Sequence, residues 1–234
     1  MSHAGVDASH VRAWRPGARV ERLRASHSYR IVFLLVVALF LFVAFAPDES
    51  WSRSVIVLIE CALLVAALWT SGLWQDRRAG VVLAGLGGVI AVAELVTSGD
   101  SAAGLIALLE VLLLLVAIVV IAVGVVDQRD INAQSVLGAI SIYVLLGMFF
   151  VFVYSAVAAL DSEPFFAQGT DGTLSTRHYF SYVTLATLGY GDYTPAGEFG
   201  RTAAVTEALL GQLYLVTVVA VLVGRMAHGP RAHH

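Results

Sequence analysis

Apolar residues run along this chain in long blocks, separated by short polar breaks. Blocks of this length predict membrane-crossing helices, which need about 20 mostly apolar residues. Six are read, at 30–46, 53–74, 79–97, 103–126, 135–160 and 199–225. The first is the shortest, with 16 uninterrupted apolar residues from Ile31 to Ala46. Its end, Ala44-Phe45-Ala46, has the form of a signal-peptidase site, but Pro47 follows directly and the basic lead-in is 30 residues long. It is therefore read as a retained span. A shorter stretch, 176–186, is expected as a helix capped by Ser175 or Thr176. It is too short to cross, so it must re-enter from one side, which is tolerated only where protein or a water-filled cavity surrounds it.

Composition agrees with this pattern. The chain is 59% hydrophobic and 13% charged, with a mean hydropathy of +0.82, outside the range of soluble domains. The predicted fold class is an all-α membrane protein with six transmembrane helices, a re-entrant helix and a loop. Charge orients it. All 14 basic side chains are arginine. With the N-terminus inside, Arg12, Arg15, Arg19, Arg22, Arg24, Arg30, Arg77, Arg78, Arg129, Arg225 and Arg231 are cytoplasmic, and only Arg53, Arg177 and Arg201 are outside. That asymmetry obeys the positive-inside rule and predicts a multi-pass cell-membrane protein with both termini cytoplasmic.

The expected organisation is a basic segment at 1–29, a four-helix bundle at 30–126, a connector at 127–134, a second module at 135–226 and a tail at 227–234. The basic segment reads either as an amphipathic helix on anionic lipid or as a solvated tail. Gly80, Ala84 and Gly88 form a small-residue stripe suited to close helix approach. Asp48, Glu49, Asp100, Asp161, Glu163, Asp171, Asp192 and Glu198 fall outside, where they either enrich cations or are simply solvated. Cys61 is alone, so no intrachain disulfide or thiol metal site is expected. With ten residues after Gly224, no regulatory domain is expected there.

The candidate chemistry lies between the short helix and the last span, at Thr187-Leu188-Gly189-Tyr190-Gly191-Asp192. A dehydrated cation needs oxygens to replace its water. Successive backbone carbonyls supply them if all turn toward one axis. Gly189 and Gly191 can take the positive φ this demands, having no Cβ. The Thr187 hydroxyl adds oxygens at the inner end, and the Tyr190 ring braces the loop from behind. The short helix aims its C-terminal, partly negative end at the same place. One chain supplies one such loop, so four copies are expected around the axis.

Residues 184–195, Thr184-Leu185-Ala186-Thr187-Leu188-Gly189-Tyr190-Gly191-Asp192-Tyr193-Thr194-Pro195, fit the TxxTxGYGDxxP pattern of the potassium channel family. Residues about 135–226 resemble that family's pore module of outer helix, pore helix, filter and inner helix. The resemblance implies a homotetramer that passes K+ passively, with K+ held at Thr187, Leu188, Gly189 and Tyr190. It places a hinge at Gly211 and a gate near Val219 to Val223. Tryptophans that often sit in the family's pore helix, one bonding the aspartate behind the filter, are replaced here by Tyr179-Phe180. Tyr179 is expected to take over the bond to Asp192. A pore-helix glutamate of some bacterial members is Val183 here, so inactivation behaviour does not transfer.

The fourth span, Ala103 to Val126, has no arginine, and its one charge is Glu110. Gating charges each supply about 2.3 kcal/mol per 100 mV, so steep voltage gating is not expected. Glu60, Glu94 and Glu110 are intramembrane acids in the filter half of their spans, roughly 8–10 Å below the outer end for Glu60 and Glu110. They are candidates for proton or cation sensing, against the alternative that they glue the bundle by hydrogen bonds. Glu207, at filter depth on the last span, either braces the filter through Ser181 or Thr184 or faces the pore; the first is preferred. Rival readings are a weakly selective cation channel, a potassium transporter and a non-conducting sensor. Transporters with related loops carry four per chain, against one here. No nucleophile–base set, metal cluster or phosphate loop points to an enzyme, and neither a cofactor nor a nucleic-acid partner is expected; lipid is.

Overall fold

The structure is a computed structural model. It describes residues 17–47, 49–71, 100–127 and 133–227. Six helices fall among them. They are α1 Gly17–Phe45, α2 Ser50–Thr70, α3 Asp100–Val126, α4 Ala133–Leu160, α5 Leu174–Leu185 and α6 Glu198–Ala227. No strand is formed among the described residues, although isolated bridges join Phe166 to Thr170 and to Pro195. The third predicted span, with its small-residue stripe and Glu94, lies outside the described residues.

Three segments are long and apolar enough to cross a membrane: Trp51–Thr70, Ala103–Val126 and Ala133–Leu160; Tyr29–Phe45 is a shorter apolar helix. α6 has 30 residues, a length of about 45 Å. Apolar exposure fits a lipid surround. On α3, Leu105, Leu108, Leu112, Leu115 and Val119 all face outward, a pattern that water would penalise.

Several expected boundaries move. The first helix begins at Gly17 and passes through position 30 without a break, so the split between basic segment and span is not seen in the backbone. α1 stops at Phe45 because the helical region is disfavoured for the residue preceding Pro47. α4 starts at Ala133, inside the expected connector. The short helix starts at Leu174, two residues before the expected 176, because the capping oxygen is that of Thr173: its Oγ1 accepts the Thr176 N–H at 3.1 Å.

Among the described residues, α1 and α3 pack directly against α4, and α2 does not reach it. Val32, Val36, Leu39 and Val43 repeat at helical spacing on α1 and are buried, meeting α2 and α4. α3 packs along α4, and α2 on α1 and α3. α4 and α6 hold α5 between them. α1 also reaches α5 directly: Ser175 Oγ donates to Ala44 O at 2.9 Å, and the Phe40 ring sits 4.7 Å from His178 and 4.8 Å from Tyr182. Among the described residues, α6 packs on α4 and α5 and on none of α1 to α3.

Candidate ion-conducting loop

α5 delivers the loop. Its last carbonyls are taken up by the chain that follows: Ala186 N–H donates to Tyr182 O at 3.0 Å, Thr187 N–H to Thr184 O at 2.9 Å and Leu188 N–H to Val183 O at 2.9 Å. Gly189 N–H also leans on Val183 O, at 3.4 Å. The backbone has no cis peptide, and in a trans peptide N–H and C=O point opposite ways. With these N–H groups turned back to the helix, the carbonyls of Ala186, Thr187 and Leu188 are turned away from it.

The dihedral angles continue the pattern. φ is +57° at Thr187, +58° at Gly189 and +78° at Gly191, while Leu188 and Tyr190 keep negative φ. Alternating left- and right-handed residues gather N–H groups on one side of the chain and carbonyls on the other. Thr187 was not foreseen here. It is the one non-glycine with positive φ among the described residues, and a β-branched residue there is an outlier. Such strain persists only where the surroundings over-determine it.

The carbonyl face is uncovered. Every residue from Ala186 to Asp192 is exposed, and a Cβ built on Gly189 or Gly191 would meet nothing within 4 Å. The opposite face of α5 is closely packed. Glu207, completely buried, places Oε1 2.5 Å from Ser181 Oγ and accepts the Tyr154 hydroxyl on Oε2 at 2.5 Å. Ser181 Oγ also donates to Gly147 O at 2.8 Å. Ser181 has one hydroxyl proton and two oxygen neighbours. Ser181 Oγ donates to Glu207 Oε1, so its single proton is shared between the carboxyl and Gly147 O. Glu207 thus faces away from the uncovered side and joins α6 to α5 and α4. Thr184 is not its partner.

Around this point Tyr154, Phe165, Phe166 and Phe180 stack into a buried aromatic cluster, with centroids 4.8–6.2 Å apart. Tyr182, next to Ser181, donates to Val144 O at 2.7 Å. Gly211 is needed for close approach: a Cβ there would lie 2.6 Å from Leu185 O. α6 runs through Gly211 unbroken, and in this conformation the glycine serves close packing. Of the expected gate region, Ala220 and Val221 are exposed, and the side chains of Val219, Leu222 and Val223 lie outside the described set.

The outer end of the loop is held more lightly. The Tyr179 hydroxyl hydrogen-bonds Asp192, and that bond, first among the causes, raises the phenol pKa above its usual value. Its ring is stacked 6.5 Å from Tyr190. Gln168 Nε2 donates to Asp192 O at 2.8 Å, and Ala167 N–H to Thr194 O at 2.8 Å. Arg177, on the second turn of α5, donates from Nη1 to Asp171 O and Gly172 O and from Nε to Ser155 Oγ, each at 2.9 Å. Sequence reasoning did not single out Gln168, Tyr154 or Arg177, whose partners lie far along the chain or on unpatterned loops.

Among the expected sensing acids, Glu60 and Glu110 are both buried. Glu110 lines a cavity beside α5 that does not include Glu60.

Residues 138–228 match a family model described as Ion channel. The segment from α4 to α6 is therefore similar to an ion-channel domain. With the apolar helices, the match supports a passive channel in a membrane, and the family is not one of enzymes. No curated protein and no solved structure matches the chain.

Proposed function

We propose that the protein is a homotetrameric, potassium-selective channel that conducts K+ down its gradient. One observation carries the reading. Alternating φ signs at Thr187, Gly189 and Gly191, with the first N–H groups returned to α5, put a ladder of carbonyls on a face that the chain leaves bare. Four such faces around one axis make a cage of backbone oxygens that replaces a potassium ion's hydration shell. The ion sites are then the oxygens of Thr187, Leu188, Gly189 and Tyr190. Asp192, Tyr179 and Glu207 hold the ladder from behind. The exposed apolar side chains of α6, including Val205, Leu209, Leu213 and Val216, have neighbouring copies and the pore itself as their surroundings.

The filter faces the outside and both termini the cytoplasm, following the arginine distribution. α3 carries no arginine, so opening is not steeply voltage-driven.

The test is flux through purified protein in liposomes under a potassium gradient and then a sodium gradient, with barium as blocker. Barium-sensitive potassium flux without sodium flux supports the reading. Equal flux for both ions replaces it with a weakly selective cation channel whose cage is loose. A steep conductance–voltage curve sinks the gating part.

A further inference from the structure

We propose that His178, on the re-entrant α5, is a proton-binding site that regulates the filter: taking up a proton from acidic solution unseats α5 from α1 and reduces conduction. No step of the proposed conduction uses this side chain. The consequence for flux rests on that function; the proton site does not.

One strip of α5 faces α1. Ser175, His178 and Tyr182 recur at i, i+3 and i+7 and share a face. Phe40 and Ala44, one turn apart on α1, meet that strip. Ser175 fastens one end through Ala44 O, and the Tyr182 hydroxyl fastens the other to α4 through Val144 O. His178 lies between them, 6% exposed, with its ring centroid 4.7 Å from those of both Phe40 and Tyr182.

The ring is placed to stay neutral. Its Nε2 is buried and has no hydrogen-bond partner in the protein. A charged imidazole donates from both nitrogens, so its Nε2 proton would be buried without an acceptor. The attraction of the ring faces for a cation is small against the cost of burying one. The helices packed on α5 supply no opposite charge. α1 has no charged residue after Arg30, and α4 has none along its length. On α6, Glu207 is engaged by Ser181 and Tyr154, and Arg201 by Pro195 O. On α5 itself, Arg177 is turned to Asp171 O, Gly172 O and Ser155 Oγ. Burial is what lowers the His178 pKa to about 4.

Freed from the contact, the imidazole regains its ordinary pKa of about 6.5. The separated state then takes a proton below about pH 6.5, and the seated state only near pH 4. The seat is therefore fully stable at neutral pH and weakens as pH falls through that window. At pH 5 those two values shift the balance toward separation by about 30-fold. α5 ends at the filter, so its loss of footing reaches the carbonyl ladder directly. α1 does not touch α6, so the inner helix is moved only through α4 and α5.

The experiment uses the full chain in liposomes with one buffer on both sides, read by barium-sensitive potassium flux from neutral pH down to about 4.5. Nitrogen-15 NMR of the histidine rings follows their charge in the same protein. Wild-type flux is expected to fall about fivefold or more by pH 5. Its midpoint should lie between about 4 and 6.5 and be shared by one of the seven histidine rings. His178→Phe, which fills the space and takes no proton, should keep its neutral-pH flux and lose the acid response. Phe40→Leu, which thins the aromatic cover, should move the midpoint up toward the ordinary value. If His178→Phe does not fold, the wild-type titration and Phe40→Leu carry the test. The proposal is overturned if wild-type flux is flat over this range, if His178→Phe falls as the wild type does, or if all seven rings titrate at the ordinary value. A midpoint unmoved by Phe40→Leu overturns the role of the α1 seat. Absence of barium-sensitive flux at every pH counts against the channel function alone, because the ring titration still reads the proton site.

Discussion

The two faces of the pore helix obey different rules. Behind it, Tyr154, Glu207, Ser181 and Gly147 share a closed hydrogen-bond network inside an aromatic cluster. In front, residues 186–192 are exposed, and their hydrogen bonds run only back to α5 and out to the flanking loop. The back is complete within one chain; the front, in the proposed tetramer, is completed by neighbouring copies. In the proposed channel, the network behind the carbonyl ladder is what would resist its collapse. Buried polar networks of this kind are strong when fully satisfied and weak when any member is removed.

The contrast gives an ordered set of tests. The largest effect should come from the front. Gly189→Ala forces a Cβ into left-handed φ, at about 1–2 kcal/mol per chain, and the proposed tetramer multiplies this by its copies. Reversal potentials in mixed potassium and sodium should show discrimination falling about tenfold or more, at tenfold for each roughly 1.4 kcal/mol. Unchanged selectivity would mean the positive φ is not used.

Next comes the back. Glu207→Ala leaves the Tyr154 hydroxyl buried without its acceptor, costing about 1–3 kcal/mol, while Glu207→Gln should cost less because its amide oxygen still accepts from Tyr154. Thermal unfolding of both variants decides this; equal losses would mean that Glu207 is charged. Third, Gly211→Val drives a side chain against Leu185 O and should destabilise by about 1–3 kcal/mol in the same assay. If it is harmless in the melt but alters opening, the glycine acts as a hinge after all. The smallest effect is expected at the half-open rim. Tyr179→Phe removes the bond to Asp192 and should modestly speed slow inactivation in sustained current recordings. No change would assign the aspartate's support to its neighbours.

The front of the pore helix was readable in the sequence because it depends on residue type. Glycine at 189 and 191 announces positive φ. Thr187 does not, since nothing in a threonine predicts left-handed backbone; only its hydrogen bond to Thr184 O in three dimensions does. The back was readable in part. An acid at filter depth needs a partner, and Ser181 was one of two hydroxyls in reach. Tyr154 lies 53 positions away on another helix, and no local pattern links the two. Arg177 read as one of three outer arginines, because the loop carbonyls that bury it belong to Asp171 and Gly172, residues without a distinguishing signal. The long helices were legible from apolar runs, and their ends were not, since capping by Thr173 and the stop before Pro47 are decided by single atoms.

The Phe40–His178–Tyr182 contact bears on how far the pore can be treated as a portable part. Tyr182 and His178 rest on a ring that belongs to α1, about a hundred positions before the segment similar to ion channels begins. A fragment cut down to 138–228 would bare those rings and break the Ser175 anchor on Ala44. Transplanting this pore into another protein, or attaching another sensor to it, would therefore mean carrying the first helix along or repainting that face of the pore helix for lipid.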